Sequence, residues 1–328
     1  MLKIFFTGDD LARTRVMSGP DPLWEIVLSL HVLQTRPARA AYGDWHQAVS
    51  ADLRRPSRTR PVLIDGIRFL LTLNPAAGYF PDFLTPLVGT QDLDAGLAAV
   101  AATPAGLLRR DLSLLAEQQS LPSDMLPLAR GDAAAMVHLT RTMRDYFDLA
   151  LAPHWPVVET TVEADRARRV RALGEGGTEA LLESLRPAMR WRGGELTVDY
   201  PFEQEMYLDG RGLVLVPSYF CWRYPVTLYD PGLPPVLVYP ADRSVANPPQ
   251  IDRRALGALL GHTRAAVLAA IGDGCSTTDL ARRVGVSPAA ASQHATVLRN
   301  AGLVARQRDR NTVLHTLTAL GRAVLSGR

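Results

Sequence analysis

Along the 328-residue chain the rhythm of hydrophobic and polar positions changes twice. The chain opens on Leu2–Phe6 (LKIFF), an apolar run short enough for a buried strand. Thr7 follows as an N-cap, with Asp9 and Asp10 favouring a helix start. Asp21 to Leu33 begins with Pro22 and carries Leu23, Ile26, Val27 and Leu30 at helical spacing. Residues 74–86 (NPAAGYFPDFLTP) are rich in proline and aromatics and read as an ordered loop. Helical periodicity dominates from Asp92 to Leu185, interrupted near Pro122 and at Pro153–Pro156. After Gly194 the period shortens: Leu196 and Val198 alternate, and Leu213–Val216 and Val236–Tyr239 are short apolar runs bounded by Gly or Pro. These predict strands, with the strand near Leu2 as a possible pairing partner that ties the two ends of the region together. Residues 240–249 (PADRSVANPP) are polar and proline-containing, as in a linker.

The pattern beyond Ile251 is different again. Arg253–Leu260 and Arg264–Ile271 predict two amphipathic helices, and Gly272–Gly274 a turn. Thr277 is positioned to cap a third helix, Thr278–Val284, which buries Leu280 and Val284 and ends at Gly285. Ser287 and Pro288 then give two independent signals of a new helix start, running to about Ala301 and stopped by Gly302. Two helices joined by a short turn, with the small Ala281 and Gly285 at their crossing, form a helix-turn-helix pattern. Leu303–Arg306 and Val313–Thr316 predict a hairpin with Arg308 and Arg310 near its tip, the composition of a wing. Together these make a surface for duplex DNA. Ser292 and Gln293 face base edges. Ala289 is small enough for close backbone approach, and Thr277, Thr278 and Ser287 sit at helix N-termini suited to phosphates. His294 is either a phosphate contact or an edge packing residue. Arg308 and Arg310 reach the backbone or minor groove.

Charge sharpens this division. Residues 251–328 contain eleven Arg and four Asp, with no Lys or Glu, a net +7, while the remainder carries −4; together they give the chain's +3. A basic tail on a mildly acidic body points to a polyanionic partner for the tail alone. The absence of any long apolar run argues against a membrane span. The N-terminus lacks the features of a secretory leader, and two distant cysteines, Cys221 and Cys275, make no disulfide framework; the expectation is a cytoplasmic protein. The seven His show no metal-ligand spacing, and nucleophile-elbow, phosphate-loop and dinucleotide glycine patterns are lacking. The expectation is therefore no enzyme, no metal and no cofactor. Aromatics concentrate in the larger region; Trp24, Phe80, Phe220 and Trp222 are the candidate wall of a cavity for a small organic effector.

The stretch from LGHTRAAVLAAIGDGC to VLHTLTALG resembles the ArsR-type winged-helix regulators. DLARTR, PLWEIVLSL, PDFLTP, PHWP and GLVLVPSYF resemble actinobacterial ArsR-like proteins with a long N-terminal domain of unknown function. The resemblance implies a homodimer formed through the first and last helices of the C-terminal domain, a two-fold symmetric operator, and repression relieved by ligand. Two departures stand out: Ala295 where the family commonly has Leu, and a single Cys275 where metal-sensing members have Cys-x-Cys.

The sequence thus predicts an α+β protein: a mainly helical N-terminal domain with a small β-sheet over 1–240, a linker over 241–250, and a winged helix-turn-helix over 251–328. The expected function is DNA-binding transcriptional regulation. The alternatives are a ligand-independent regulator controlled by a protein partner and an interaction scaffold that does not bind DNA.

Overall fold

The structure is a computed structural model that describes residues 1–54, 60–87, 91–243, 253–272, 274–309 and 312–326. The chain divides into two compact units, Met1–Asp242 and Arg243–Arg328. Residues 244–250 of the expected linker lie outside the described residues.

The first unit starts with β1 (Leu2–Phe5), α1 (Gly8–Arg13) and β2 (Arg15–Val16). Thr7 caps α1 in a reciprocal box with Asp10, whose other oxygen accepts from the Gly212 N–H at 2.9 Å. A helical body follows: α2 (Pro22–Gln34), α3 (Arg36–Ala41), α4 (Gly43–Arg54), α5 (Arg60–Leu73), α6 (Leu93–Ala101), α7 (Ala105–Gln118), α8 (Leu126–Ala129) and α9 (Ala133–Tyr146). Asp21 caps α2 by accepting from the Leu23 and Trp24 N–H groups. That helix is buried on nearly every side: Leu23, Trp24, Ile26, Val27, Leu28, Leu30 and Val32 all belong to the core. Burial of each such side chain contributes about 1.5–3 kcal/mol. The expected loop over 74–86 is irregular apart from one 3₁₀ turn at Asp82–Leu84. The expected break near Pro153–Pro156 is a π turn (Phe147–Leu151) and a 3₁₀ turn (Ala152–His154) leading into α10 (Trp155–Glu183). The path of α10 is broken at Gly176–Gly177, where Gly177 has φ +69°.

The strands after residue 188 are β3 (Met189–Arg192), β4 (Glu195–Val198), β5 (Gln204–Tyr207), β6 (Val214–Ser218), β7 (Val226–Thr227) and β8 (Val236–Pro240). With β1 and β2 they form two four-stranded sheets, in the orders β3-β4-β1-β5 and β2-β6-β8-β7. β1 pairs with β4 antiparallel, Ile4 opposite Leu196, so the opening strand does close the unit on itself. It does not pair with β6 or β8, which run parallel to each other in the second sheet. That sheet is buried on both faces, which is why its strands read as unbroken apolar runs. Val214, Val216, Val236 and Val238 join the helical core, while Leu215, Leu237 and Tyr239 pack with Leu2, Ile4, Leu181, Leu182 and Leu196.

The second unit comprises α11 (Arg253–Leu260), α12 (His262–Ile271), β9 (Cys275–Ser276), α13 (Thr277–Val284), α14 (Pro288–Asn300), β10 (Val304–Asp309), β11 (Thr312–Leu317) and α15 (Ala319–Ser326). Its sheet has the order β10-β11-β9. Val267, Leu268, Ile271, Leu280, Ala291, Ala295 and Leu298 form its core, with Leu303 and Val304 closing it beneath the hairpin. No helix among the described residues is long and apolar enough to cross a membrane.

Candidate nucleic-acid interface

The geometry of the helix pair α13–α14 follows from three local signals. The side chain that caps α13 is Ser276, one residue before the expected Thr277. Ser276 Oγ accepts from the Asp279 N–H at 3.1 Å and donates to Asp279 Oδ2 at 2.7 Å. Thr277 is instead the first helical residue, and its hydroxyl meets His315 Nε2 at 2.9 Å. Gly285 ends α13 at φ +71°, ψ +35°, and the N–H groups of Gly285 and Val286 both return to the Ala281 carbonyl. Ser287 then caps α14 by accepting from the Ala290 N–H, with Pro288 in its first turn.

These caps fix how α14 rolls on the core. Ala291, Ala295 and Leu298 are buried on one face. At 100° per residue the opposite face carries Ala289, Gln293, Thr296, Val297 and Asn300, all exposed, with Ser292, also exposed, about 90° round on its flank. Gln293 is therefore brought to the outer face together with Ala289, Ser292 stands exposed on one flank, and His294 lies half-buried at the other edge. Thr278 and Ser287 are exposed at the N-termini of α13 and α14. Thr296 and Asn300 share this face without having been singled out from sequence; the i+3 and i+7 steps from Gln293 are the signal that finds them. Ala295 is fully enclosed, so a small residue is accommodated where the resembled family has Leu.

Electrostatics around this face come from arginines held by their neighbours. Arg282 pairs with Asp279 at 2.6 Å, and the Ser276 hydroxyl, ahead of the arginines, holds the Asp279 carboxyl below the usual range. Arg283 donates to the Ala270 carbonyl at 2.9 Å, near the C-terminus of α12. His315 is buried, and burial first, then the charges of Arg306 and Arg299, lowers its pKa. Arg308 occupies the strand β10 and only its backbone position is described, while Arg310 lies outside the described residues. Cys275 is buried opposite His315 on β11, and burial pushes its thiol up, away from reactive thiolate.

The first unit holds a cavity of about 590 Å³ between α2, residues 76–82, residues 200–204 and residues 220–229. Three of the four expected aromatics, Phe80, Phe220 and Trp222, line it. Trp24 does not; it is buried behind Phe80 in an edge-to-face contact, ring centroids 6.1 Å apart. Tyr79, one of the aromatics of the 74–86 loop, lines the cavity too, as do His31, Asp82 and Tyr200, which carried no sequence signal. One wall is positioned by Glu25 of α2, whose fully buried carboxyl accepts from Ser218 Oγ (2.9 Å), Tyr219 N (2.8 Å) and Phe220 N (3.0 Å). Burial raises its pKa to about 7. The opposite wall is tied by Asp82, which accepts from the Tyr229 and Asp230 N–H groups at 3.0 and 2.8 Å. Among the described residues no cluster of ligating side chains could hold a metal ion.

Residues 254–312 match the family described as "MarR family", and residues 128–245 match the one described as "Family of unknown function (DUF5937)". No curated protein and no solved structure matches the chain. The C-terminal unit is thus a MarR-type winged helix-turn-helix, the architecture with which transcriptional regulators bind DNA. The match agrees with the sequence reading at the level of the winged helix and of an N-terminal domain of unknown function; it does not single out the ArsR type.

Proposed function

We propose that this protein is a transcriptional repressor that binds a two-fold symmetric duplex operator as a homodimer and is released by a small organic ligand held in its N-terminal cavity. The observation that carries the DNA-binding reading is the outer face of α14. Four small or polar side chains, Ala289, Gln293, Thr296 and Asn300, lie exposed there beside Val297, opposite Ala291, Ala295 and Leu298. Such a face admits a helix to the major groove without steric obstruction and offers Gln293 as a bidentate partner for adenine. Ser292 and Thr296 flank it; Thr278, Ser287 and the Ala289 backbone suit phosphates. Arg308 and Arg310 supply the wing's charge, which gives affinity and little sequence information.

The dimer reading rests on the helices that begin and end the second unit. Leu259 on α11 is 78% exposed and Leu320 on α15 is 54% exposed, apolar side chains that a partner surface would cover. The ligand reading rests on the cavity, since a ligand shifts DNA binding only by favouring one of two states.

The test is a mobility-shift series on systematically varied duplexes drawn from genomic fragments. Gln293→Ala should relax discrimination at one base position by about 1–3 kcal/mol. Arg308→Ala should weaken every duplex similarly and flatten the salt dependence. If the unaltered protein prefers no genomic fragment over random duplex, the repressor reading is wrong. If Gln293→Ala weakens every duplex equally, its base-reading role is wrong.

A further inference from the structure

The cavity in the first unit has a sign as well as a shape. Its rings, among them Phe80, Phe220, Trp222 and Tyr200, give a mainly apolar wall. Two polar atoms belonging to lining residues, His31 Nε2 and the Tyr79 hydroxyl, are buried and close no hydrogen bond of good geometry, although Asn74 and Asp111 stand close to them. Unmade hydrogen bonds of this kind cost about 1–3 kcal/mol each, a cost that a bound molecule removes.

The charges around these atoms are unequal. Asp82 lines the cavity with its two oxygens on backbone N–H groups, and no cation pairs with it among the described residues. Asp111 lies behind Tyr79, accepting from the Phe83 N–H at 3.1 Å. Asp230 is taken up by Arg110. Of the other groups facing the cavity, Arg223 is exposed, its guanidinium 5.0 Å from the Tyr224 ring centroid. His31 is held neutral at physiological pH, since burial takes its pKa down to about 4. The enclosed part therefore holds carboxylate charge, aromatic faces and neutral acceptors. Such a site repels an anion and favours a cation, which ring faces stabilise further once water is removed.

We propose that this cavity takes an organic cation: a protonated amine on a flat aromatic or alkylaromatic body, its ammonium at Asp82 and its body on Phe80, Phe220 and Trp222. The ammonium N–H groups supply donors to Asp82 and to the Tyr79 oxygen, both of which can accept. The proposal rests on the reading of the cavity as an effector site and adds the charge of the effector.

Three probes of one shape separate the two: 4-phenylbutylamine, 4-phenylbutanol and 4-phenylbutanoate, titrated into the full chain by calorimetry at pH 7.5. The amine should bind at least about tenfold more tightly than the alcohol, and the carboxylate most weakly. In Asp82→Asn the amine should fall to the level of the alcohol while the alcohol is unchanged. The ranking on the unaltered chain decides the matter even if that variant folds poorly. Equal binding of all three, or a preference for the carboxylate, overturns the cation assignment and leaves an effector site of another class. Failure of the amine to bind overturns the cation proposal; the effector reading falls separately, if no small organic compound releases the chain from its duplex in the mobility-shift series.

Discussion

Glu25 shows what a single buried group contributes to the physics of this fold. Its carboxyl is fully enclosed yet has three donors aimed at it, from Ser218, Tyr219 and Phe220. Desolvation outweighs them and sets its pKa at about 7, against 4.5 for the free side chain. When it is protonated its O–H can turn to Ser218 Oγ, the one partner of the three that can also accept. Between pH 4.5 and 7 the folded chain keeps a proton that the unfolded chain has released. The stability this group adds is therefore complete below the unfolded value and is lost as pH rises through 7. Asp21, raised to about 6 by burial, acts in the same direction. His31, lowered to about 4, acts in the opposite one: its contribution is present above 6.5 and lost as pH falls through 4. A comparison with Glu25→Gln isolates the glutamate. The variant leaves one of the two backbone donors without an acceptor, costing about 1–3 kcal/mol at every pH. Relative to it, the unaltered chain should lose on the order of 3 kcal/mol between pH 4.5 and 7.5 in urea unfolding. Parallel pH profiles for the two proteins would show that Glu25 does not titrate in this range. None of this was legible in the sequence, where Glu25 is one acidic residue in the first turn of an amphipathic segment. Burial and the approach of residues 218–220 are long-range facts.

At the scale of elements, the legible features were those written locally. The Thr7 and Ser287 caps, the prolines at the starts of α2 and α14 and the glycine after α13 are decided within four residues of sequence, and the structure has them where the pattern put them. The cap of α13 moved one residue, because Ser276 and Thr277 are chemically interchangeable caps and β9 pairing leaves Ser276 in the extended conformation a cap needs. The division into two sheets was not legible. β6 and β8 look alike whether they pair with β1 or with each other, and only the shared burial of both faces decides it. Two glycines in the reading unit are required for different reasons. Gly285 has open space where a Cβ would stand but a positive φ, so Gly285→Ala should cost only the conformational term, about 1 kcal/mol. Gly321 on α15 has a Cβ position that falls on the Leu303 carbonyl, so Gly321→Ala must displace the helix from β10 and should cost clearly more. Thermal melts of the two variants check the order; equal losses would mean that α15 yields freely.

For the whole molecule the question is what joins two copies on one operator. Each winged helix offers one recognition helix, and a two-fold site is read at full strength only if two are held together. On α11 Leu256 is buried, while Leu259 on α11 and Leu320 on α15 are exposed. These two side chains lie on the helices that the sequence resemblance assigned to dimerisation. If they form that interface, Leu259→Asp combined with Leu320→Asp places charges in an apolar contact and leaves the unit's own core untouched. Sedimentation velocity should then show a monomer. Affinity for a full operator should fall by about 10²-fold or more, because the second contact is no longer intramolecular, while affinity for an isolated half-site should stay the same. The half-site measurement separates loss of pairing from loss of folding. A double variant that remains dimeric would move the interface elsewhere. One that becomes monomeric but keeps full-operator affinity would mean that each copy binds independently, and two-fold reading would have no physical basis.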